Sequence, residues 1–308
     1  MDAIKIFAPA TIANVSCGFD VLGLCLDAVG DEMIISKTAE KGVKISKIVG
    51  QNLPLETENN VAGVAVLALL EKYGEVDCGF DIEIYKKIKP GSGIGSSAAS
   101  SAGAVYGVNK LLGEPFTLSE LIPFAMEGER LASGNAHADN VAPALLGGFT
   151  LVRSYDPLDV IKLHSPSELY ATVIHPKIEI KTADSRAVLK DTVSLKQTVT
   201  QLGNLGGLIS GLYSEDYNLI GRSLQDVIVE PLRSVLIPNF DKVKEFAKEA
   251  GALGGSISGS GPSIFALSKG KETAEKVAIA MAKAYENLDI EFDTYVSKLN
   301  PEGNKIID

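Results

Sequence analysis

The stretch that most constrains this chain is Pro90-Gly91-Ser92-Gly93-Ile94-Gly95-Ser96-Ser97-Ala98-Ala99-Ser100. It follows a strand-like run, Phe80–Lys86, and leads straight into an alanine-rich helical pattern, Ser97–Leu112. Three glycines let the backbone turn with its N–H groups converging and leave no Cβ in the way of a ligand. The helix that follows adds unpaired N–H groups and about half a positive charge at its N-terminus. The serine hydroxyls can donate hydrogen bonds or ligate a hard cation. A strand, an anion-sized turn and a helix must therefore lie in sequence. The bland reading, a small-residue helix start that lets Ala98, Ala99, Ala102 and Ala104 pack closely, leaves so many converging donors unexplained. The turn is not a Walker A loop, because no Gly-Lys-Ser/Thr closes it. Nor is it a dinucleotide fingerprint, since the third glycine is misplaced and Pro115 stands at the ribose-binding distance.

A chain of 308 residues is about twice the ~150 of one domain, so two packed cores are expected. The first half interleaves strand patterns (Lys5–Ala10, Met33–Ser36, Val43–Val49, Phe80–Lys86, Gly147–Val152) with helical ones (Val61–Lys72, Ser97–Leu112, Leu118–Arg130). Asp156-Pro157 reads as a turn. The pattern restarts near Pro166 with a strand at Tyr170–His175, then helices at Thr182–Leu189, Leu195–Tyr213 and Phe240–Glu249. Strands at Leu253–Ser258 and Ser263–Leu267, a helix at Thr273–Glu286 and a strand at Glu291–Ser297 complete it. The expectation is an α+β chain with one α/β domain over residues 1–165 and a ferredoxin-like α+β domain over 166–308.

The formal charge of −10 argues against a nucleic-acid or lipid-surface binder, which needs a basic face. MDAIKIFAPA has no charged leader with an apolar core, and no apolar run approaches the ~18 residues of a membrane span. A cytoplasmic location is expected, with no membrane or nucleic-acid partner. Cys17, Cys25 and Cys78 lack metal spacing and read as small buried hydrophobes. Of His137, His164 and His175, only His137 sits in interesting company.

The turn resembles the central phosphate-binding motif of the GHMP kinases, with Ile94 replacing the usual leucine. Ala8-Pro9-Ala10-Thr11-Ile12-Ala13-Asn14-Val15-Ser16-Cys17-Gly18-Phe19-Asp20 resembles the N-terminal motif of the homoserine kinases within that superfamily. Ser256-Ile257-Ser258-Gly259-Ser260-Gly261-Pro262-Ser263 resembles its C-terminal glycine-rich motif, and His137–Pro143 with Gly147-Gly148-Phe149 completes a likeness that runs end to end. The resemblance implies a two-domain GHMP kinase fold, with a ribosomal-S5-domain-2-like α/β domain first and a ferredoxin-like domain second. It implies phosphorylation of the L-homoserine hydroxyl to O-phospho-L-homoserine in threonine biosynthesis, with ATP and Mg²⁺ as cofactors and a homodimer as assembly. Another GHMP small-molecule kinase, or a non-catalytic ligand sensor on the same fold, are the alternatives.

Independently of the name, an amino-acid substrate needs an acidic partner for its ammonium and a planar cation for its carboxylate. Asp20 suits the first, Arg186 and Arg233 the second, because guanidinium forks bind carboxylates bidentately. By resemblance Ser97 and Glu129 are the magnesium ligands, with Glu127 as the competing carboxylate. Residues Pro90 to Ser100 bind the ATP phosphates, and Asn60 and Lys87 lie near adenine and ribose. Relatives carry a catalytic aspartate where Asn140 stands here, and an amide cannot take a proton at neutral pH. That aspartate belongs to mevalonate kinase and galactokinase relatives; homoserine kinases share its absence, so the resemblance implies that Asn140 and Asn14 orient the substrate hydroxyl, leaving the proton to the γ-phosphate oxygens or to solvent. Asp139 as a displaced base is disfavoured, because consecutive residues on a helix point about 100° apart. His137 as packing beside the site and Thr182 facing the γ-phosphate complete the set.

Overall fold

Period-two burial organises the first half of the chain. In the computed structural model, which describes residues 2–180 and 182–308 with the side chains of 182 and 183 left aside, β1 (Ala3–Ala13) buries Ile4, Ile6, Ala8, Ala10 and Ile12. Alternate side chains of a strand share a face, so this stripe seeds one core. β1 pairs antiparallel with β2 (Leu22–Thr38), a strand of 17 residues of which Met33–Ser36 is only the regular, alternating part. β3 (Gly42–Val49), α1 (Val61–Tyr73) and β4 (Gly79–Tyr85) follow; β3 runs parallel to β4, and β4 antiparallel to the second half of β2. α2 (Ser96–Leu111) lies against β1 and β2, ringed by α1, α3 (Leu118–Ser133) and the short α4 (Val141–Leu146). Nearly every residue of α2 is buried, which is why it is built of Ala, Ser and Gly. β5 (Phe149–Tyr155) joins the first half of β2 and forms a hairpin with β6 (Leu158–Leu163) across Asp156-Pro157.

The second half opens with β7 (Leu169–Pro176) and continues through five helices: α5 (Thr182–Ala187), α6 (Leu195–Ser214), α7 (Tyr217–Ser223), α8 (Glu230–Arg233) and α9 (Phe240–Glu249). β8 (Gly254–Ile257), β9 (Ile264–Lys269), α10 (Lys271–Lys283) and β10 (Phe292–Lys298) complete an antiparallel sheet of order β10-β7-β9-β8. That order is the ferredoxin-like one, with α9 and α10 closing a second core around Val243, Ala247, Val277, Met281 and Tyr285. Thr117 and Ser194 start α3 and α6 with capping boxes, bonded reciprocally to Glu120 and Gln197. β11 (Lys305–Ile307) then crosses back and pairs antiparallel with β1, Ile307 opposite Lys5. The first sheet thus takes β1 to β6 together with this returning strand, and the second takes β7 to β10. Among the described residues no helix is long and apolar enough to cross a membrane.

Candidate active site

The Pro90–Ser100 turn is clamped from two sides. Gly95 (φ +70°) precedes α2, and a Cβ there would sit 2.1 Å from Thr11 Oγ1 at the end of β1. Gly93 (φ +82°) faces the 258–261 turn, where a Cβ would meet Gly261 O and Ser258 O, each at 2.7 Å. Ser258 Oγ donates to Gly93 O (2.7 Å) and Ser263 Oγ to Ser92 O (2.6 Å). The glycine-rich segment 256–263 thus buttresses the phosphate turn directly. No side chain caps the start of α2, which leaves its first N–H groups for a ligand.

A cavity of about 550 Å³ opens beside the turn. Lys86 on its wall belongs to a buried ion pair that the sequence reading missed: Lys86 Nζ bonds Asp31, Ser96 O (2.8 Å) and Ser100 Oγ (3.0 Å). Asp31 also accepts from the N–H groups of Lys87 (2.7 Å) and Ile88 (2.8 Å). Burial pulls the Lys86 ammonium below its usual pKa, and Asp31 opposes that pull. Lys87, the expected nucleotide contact, pairs with Glu32 and does not line the cavity. Adjacent residues of an extended segment point to opposite sides, so the inward place falls to Lys86. Asn60 is likewise displaced, because its amide caps α1 at Ala62 N (3.0 Å) and donates to Pro54 O (2.7 Å), leaving Asn59 and Val61 at the cavity wall.

Glu129, on α3, is buried; its Oε1 has no hydrogen-bond partner, and it lines the cavity together with Ser97. Burial pushes the Glu129 carboxyl up to about 7, with Ser97 and then Lys86 pulling it down. Glu127 faces away and pairs with Arg130 (3.0 Å). Among the described residues there is no cluster of three or more His, Cys, Asp or Glu that could hold a metal. A cation at Glu129 would therefore be held by one carboxylate, the Ser97 hydroxyl and phosphate oxygens, which suits Mg²⁺.

The same cavity also collects residues far apart in sequence. Arg186 Nη2 donates to His137 Nε2 (2.7 Å) and lies 3.6 Å from Asp20, whose Oδ1 is 3.8 Å from His137 Nδ1. Burial first, then the Arg186 charge, lower the His137 pKa against the pull of Asp20, so the imidazole is neutral at pH 7 and accepts from Arg186. Arg233 is buried against the Phe19 ring, with Nε donating to Ser185 O (2.9 Å) and Nη1 to Gly259 O (3.2 Å). Asn14 donates to Gly259 O (2.7 Å) and accepts from Asp20 N (2.9 Å). Asn14, Val15, Ser16 and Asp20 all have positive φ, a conformation that non-glycine residues hold only when over-determined by their surroundings. Asn140 Oδ1 accepts from Thr11 Oγ1 (2.7 Å), which directs its NH₂ elsewhere. Asp139 lines the cavity beside it, because both residues precede α4 and the 100° argument does not apply. Burial, then Asp20 and Glu129, push the Asp139 carboxyl up to about 7.

Of the expected phosphate-turn residues, Pro90, Gly91, Gly93, Gly95, Ser96, Ser97 and Ser100 line the cavity, while Ser92, Ile94, Ala98 and Ala99 pack behind it. The Thr182 side chain lies outside the described residues. Thr11 carried no signal of its own, since its role exists only through Asn140.

Residues 59–148 match the GHMP kinases N terminal domain and residues 208–287 the GHMP kinases C terminal domain. A homoserine kinase of Chloroherpeton thalassium is 47% identical over 319 residues, covering all of both chains. The crystal structure of homoserine kinase from Cytophaga hutchinsonii is 56% identical with a TM-score of 0.96, over 100% of this chain and 98% of that one. This chain belongs to the homoserine kinase family. The family's membership of the GHMP kinases fixes the donor side, because GHMP kinases use MgATP, and the uncapped start of α2 with the unpartnered Glu129 Oε1 fits that pair. A mevalonate kinase of L. major, crystallised with R-mevalonate, shares 16% identity and a TM-score of 0.70 over 96% of each chain, and so the fold alone.

Proposed function

We propose that this kinase transfers the γ-phosphoryl group of ATP to the hydroxyl of L-homoserine, giving O-phospho-L-homoserine and ADP, as a step towards threonine. The observation that carries the acceptor is the convergence of Asp20, Arg186 and Arg233 on the wall of one cavity. Asp20 meets the ammonium, and the guanidinium groups meet the carboxylate. Asn140, its carbonyl held by Thr11, presents its NH₂ to the hydroxyl oxygen and orients it for in-line attack. The N–H groups of the turn and the α2 N-terminus stabilise charge on the phosphoryl oxygens, which is the main task in this class of reaction. Ser97 and Glu129 would hold Mg²⁺, which when bound neutralises phosphate charge. Lys86 fixes the turn from beneath. The same reading divides the chain near residue 165 into two units and has two copies associate in the cytoplasm.

The test is MgATP-dependent ADP release with L-homoserine but not with mevalonate, phosphomevalonate, shikimate or galactose. Arg186→Ala and Arg233→Ala should each raise the homoserine KM by about 10- to 100-fold, the scale of a lost charge-assisted hydrogen bond, with the ATP KM within about threefold. An unchanged homoserine KM in both variants removes the amino-acid assignment.

The hydroxyl proton passes to a phosphate oxygen or to water, since neither Asn140 nor Asn14 can accept it. The place of Asp139 on the cavity wall, with a carboxyl near 7, favours a second reading in which it takes the proton. Asp139→Asn separates the two: a kcat within about threefold of the parent leaves the proton to phosphate or water. A loss of about 100-fold, typical of a missing general base, assigns it to Asp139.

A further inference from the structure

The second sheet presents two unlike faces. Leu169, Ala171 and Val173 of β7, with Phe265 and Leu267 opposite on β9, share a core cluster with β1 and α2. Ile174, Ile264 and Ala266 point the other way, into the core closed by α9 and α10. The face turned to the first sheet is thus apolar until its last step, where the register of Ile174 with Ile264 brings His175 beside Ser263. His175 is 3% exposed and Ser263 is fully buried. A valine would continue the packing here. A buried imidazole must instead be held by hydrogen bonds, yet its Nε2 has no partner among the described residues.

The directions of the bonds at Ser263 follow from its single hydroxyl proton. Ser263 Oγ stands 2.6 Å from Ser92 O and 3.2 Å from His175 Nδ1. A carbonyl oxygen only accepts, so the hydroxyl proton goes to Ser92 O and the second bond takes its proton from Nδ1. The imidazole is therefore the Nδ1–H tautomer. Burial, then Lys89 and Lys177, lower its pKa against the pull of Asp293, which stands opposite on β10, so the ring is uncharged at pH 7. A hydroxyl that accepts one hydrogen bond donates a stronger one, which holds the Ser92 carbonyl towards the 256–263 segment. In a planar trans peptide the C=O and the following N–H point opposite ways, so this bond turns Gly93 N–H away from that segment. Ser258 Oγ, donating to Gly93 O (2.7 Å), does the same to Ile94 N–H. Neither N–H has an acceptor among the described residues, and both are left for a ligand.

We propose that His175 is a positioning residue for phosphoryl transfer: its Nδ1–H fixes Ser263 Oγ, and Ser263 Oγ fixes the Ser92 peptide, so that the phosphate turn meets ATP with its N–H groups already aimed. The proposal rests on the phosphate-binding role of the turn given above and adds to it a residue of the second sheet that does not itself line the cavity. Aimed N–H groups count most where charge builds on the transferring phosphoryl group. Loosening them therefore lowers kcat at least as much as it weakens the nucleotide.

Steady-state kinetics, calorimetric MgADP affinity and melting curves of the full chain and its variants test this. His175→Leu should lower kcat about tenfold and weaken MgATP and MgADP about threefold, with the homoserine KM within about twofold, the scale of one lost neutral hydrogen bond and a slightly misaligned turn. Its melting temperature should be no lower than the parent's, because leucine removes the unpartnered Nε2. A histidine that only packs gives the reverse pattern, a lower melting temperature with parental kinetics, and that result overturns the proposal. His175→Asn, whose amide can stand near Nδ1 and donate to Ser263, should return kcat to within about threefold of the parent. His175→Gln, whose amide lies farther out near Nε2, should not. Ser263→Ala should match His175→Leu, and H175L/S263A should be no slower than either, because His175 acts through Ser263. His175→Asn as slow as His175→Leu, or losses that multiply in the double variant, overturn the proposal. Should His175→Leu not fold, Ser263→Ala and the comparison of Asn with Gln carry the same decision. MgADP binding needs no acceptor, so a parent that binds MgADP without phosphorylating homoserine removes the acceptor reading alone. There, weaker MgADP binding in His175→Leu than in His175→Asn supports the proposal, and equal binding overturns it.

Discussion

Glu129→Gln should cost about 10³-fold in kcat/KM for ATP and, at the same time, make the nucleotide-free protein more stable above pH 7. The two effects share one cause. Glu129 is buried with one oxygen unpartnered, and desolvation lifts its pKa from the ordinary 4.5 to about 7. A folded-state pKa above the unfolded one means that the folded protein binds the proton more tightly. The stability contributed by the protonated form is therefore fully present below about pH 4.5, falls as pH rises towards about 7, and is gone above it. The interval corresponds to roughly 3 kcal/mol, and the neighbouring Asp139 is raised partly by the same charge. Glutamine keeps the shape and removes the titration, so the nucleotide-free variant should melt higher than the parent at pH 8 and nearly with it at pH 5. Its loss of turnover is on the scale of removing one preorganised electrostatic partner from a transition state. Melting curves that keep the same spacing at both pH values would falsify the buried-charge argument, and near-parental turnover would remove Glu129 from the cation site.

Gly95→Ala should abolish phosphotransfer almost completely, by 10³-fold or more, and lower stability by about 2–4 kcal/mol. The left-handed backbone alone costs a side chain about 1–2 kcal/mol. The larger effect is local: the new methyl would overlap Thr11 Oγ1 at 2.1 Å and press Asn140 Oδ1 at 3.0 Å, and Thr11 is the group that holds the Asn140 amide. Displacing either spoils the alignment of the hydroxyl, and misplacement by about 1 Å can cost 10²-fold in rate. Gly113→Ala is the control, since Gly113 also has positive φ (+86°) but nothing within 4 Å of its Cβ position. It should lose about 1 kcal/mol with unchanged kinetics. Steady-state rates and melting points of the two variants decide it, and a Gly95→Ala enzyme within tenfold of the parent contradicts the clash.

Local chemistry was legible in the sequence wherever a residue type is demanded by its own backbone or by a ligand's charge. The turn of Gly93 and Gly95, the forks of Arg186 and Arg233 and the acid Asp20 belong to this class, and one cavity gathers them. What was not legible depends on partners set by the fold. Lys86 and Lys87 are adjacent and identical in type, and only the pleat decides which one meets Asp31. Asn60 reads as a polar side chain near the nucleotide until α1 claims it as a cap. Thr11 matters because 129 residues later Asn140 needs an anchor. The serines of segment 256–263 bond the carbonyls of Ser92 and Gly93, partners that lie more than 160 residues away in the sequence. Among the elements, Phe240–Glu249 appears with the bounds that its periodicity predicts. β6 and β11 escaped because a short edge strand buries too little to show a period.

The pairing of β11 with β1 brings Asp308 beside Lys5, whose Nζ lies 3.5 Å from the Asp308 carbonyl oxygen. The described chain is therefore almost a ring. A short linker across that gap, with new ends opened at the exposed turn around Gly113, reorders the polypeptide without moving any wall of the cavity. The site depends on which elements are neighbours in space, and the order in which they are synthesised is free to change.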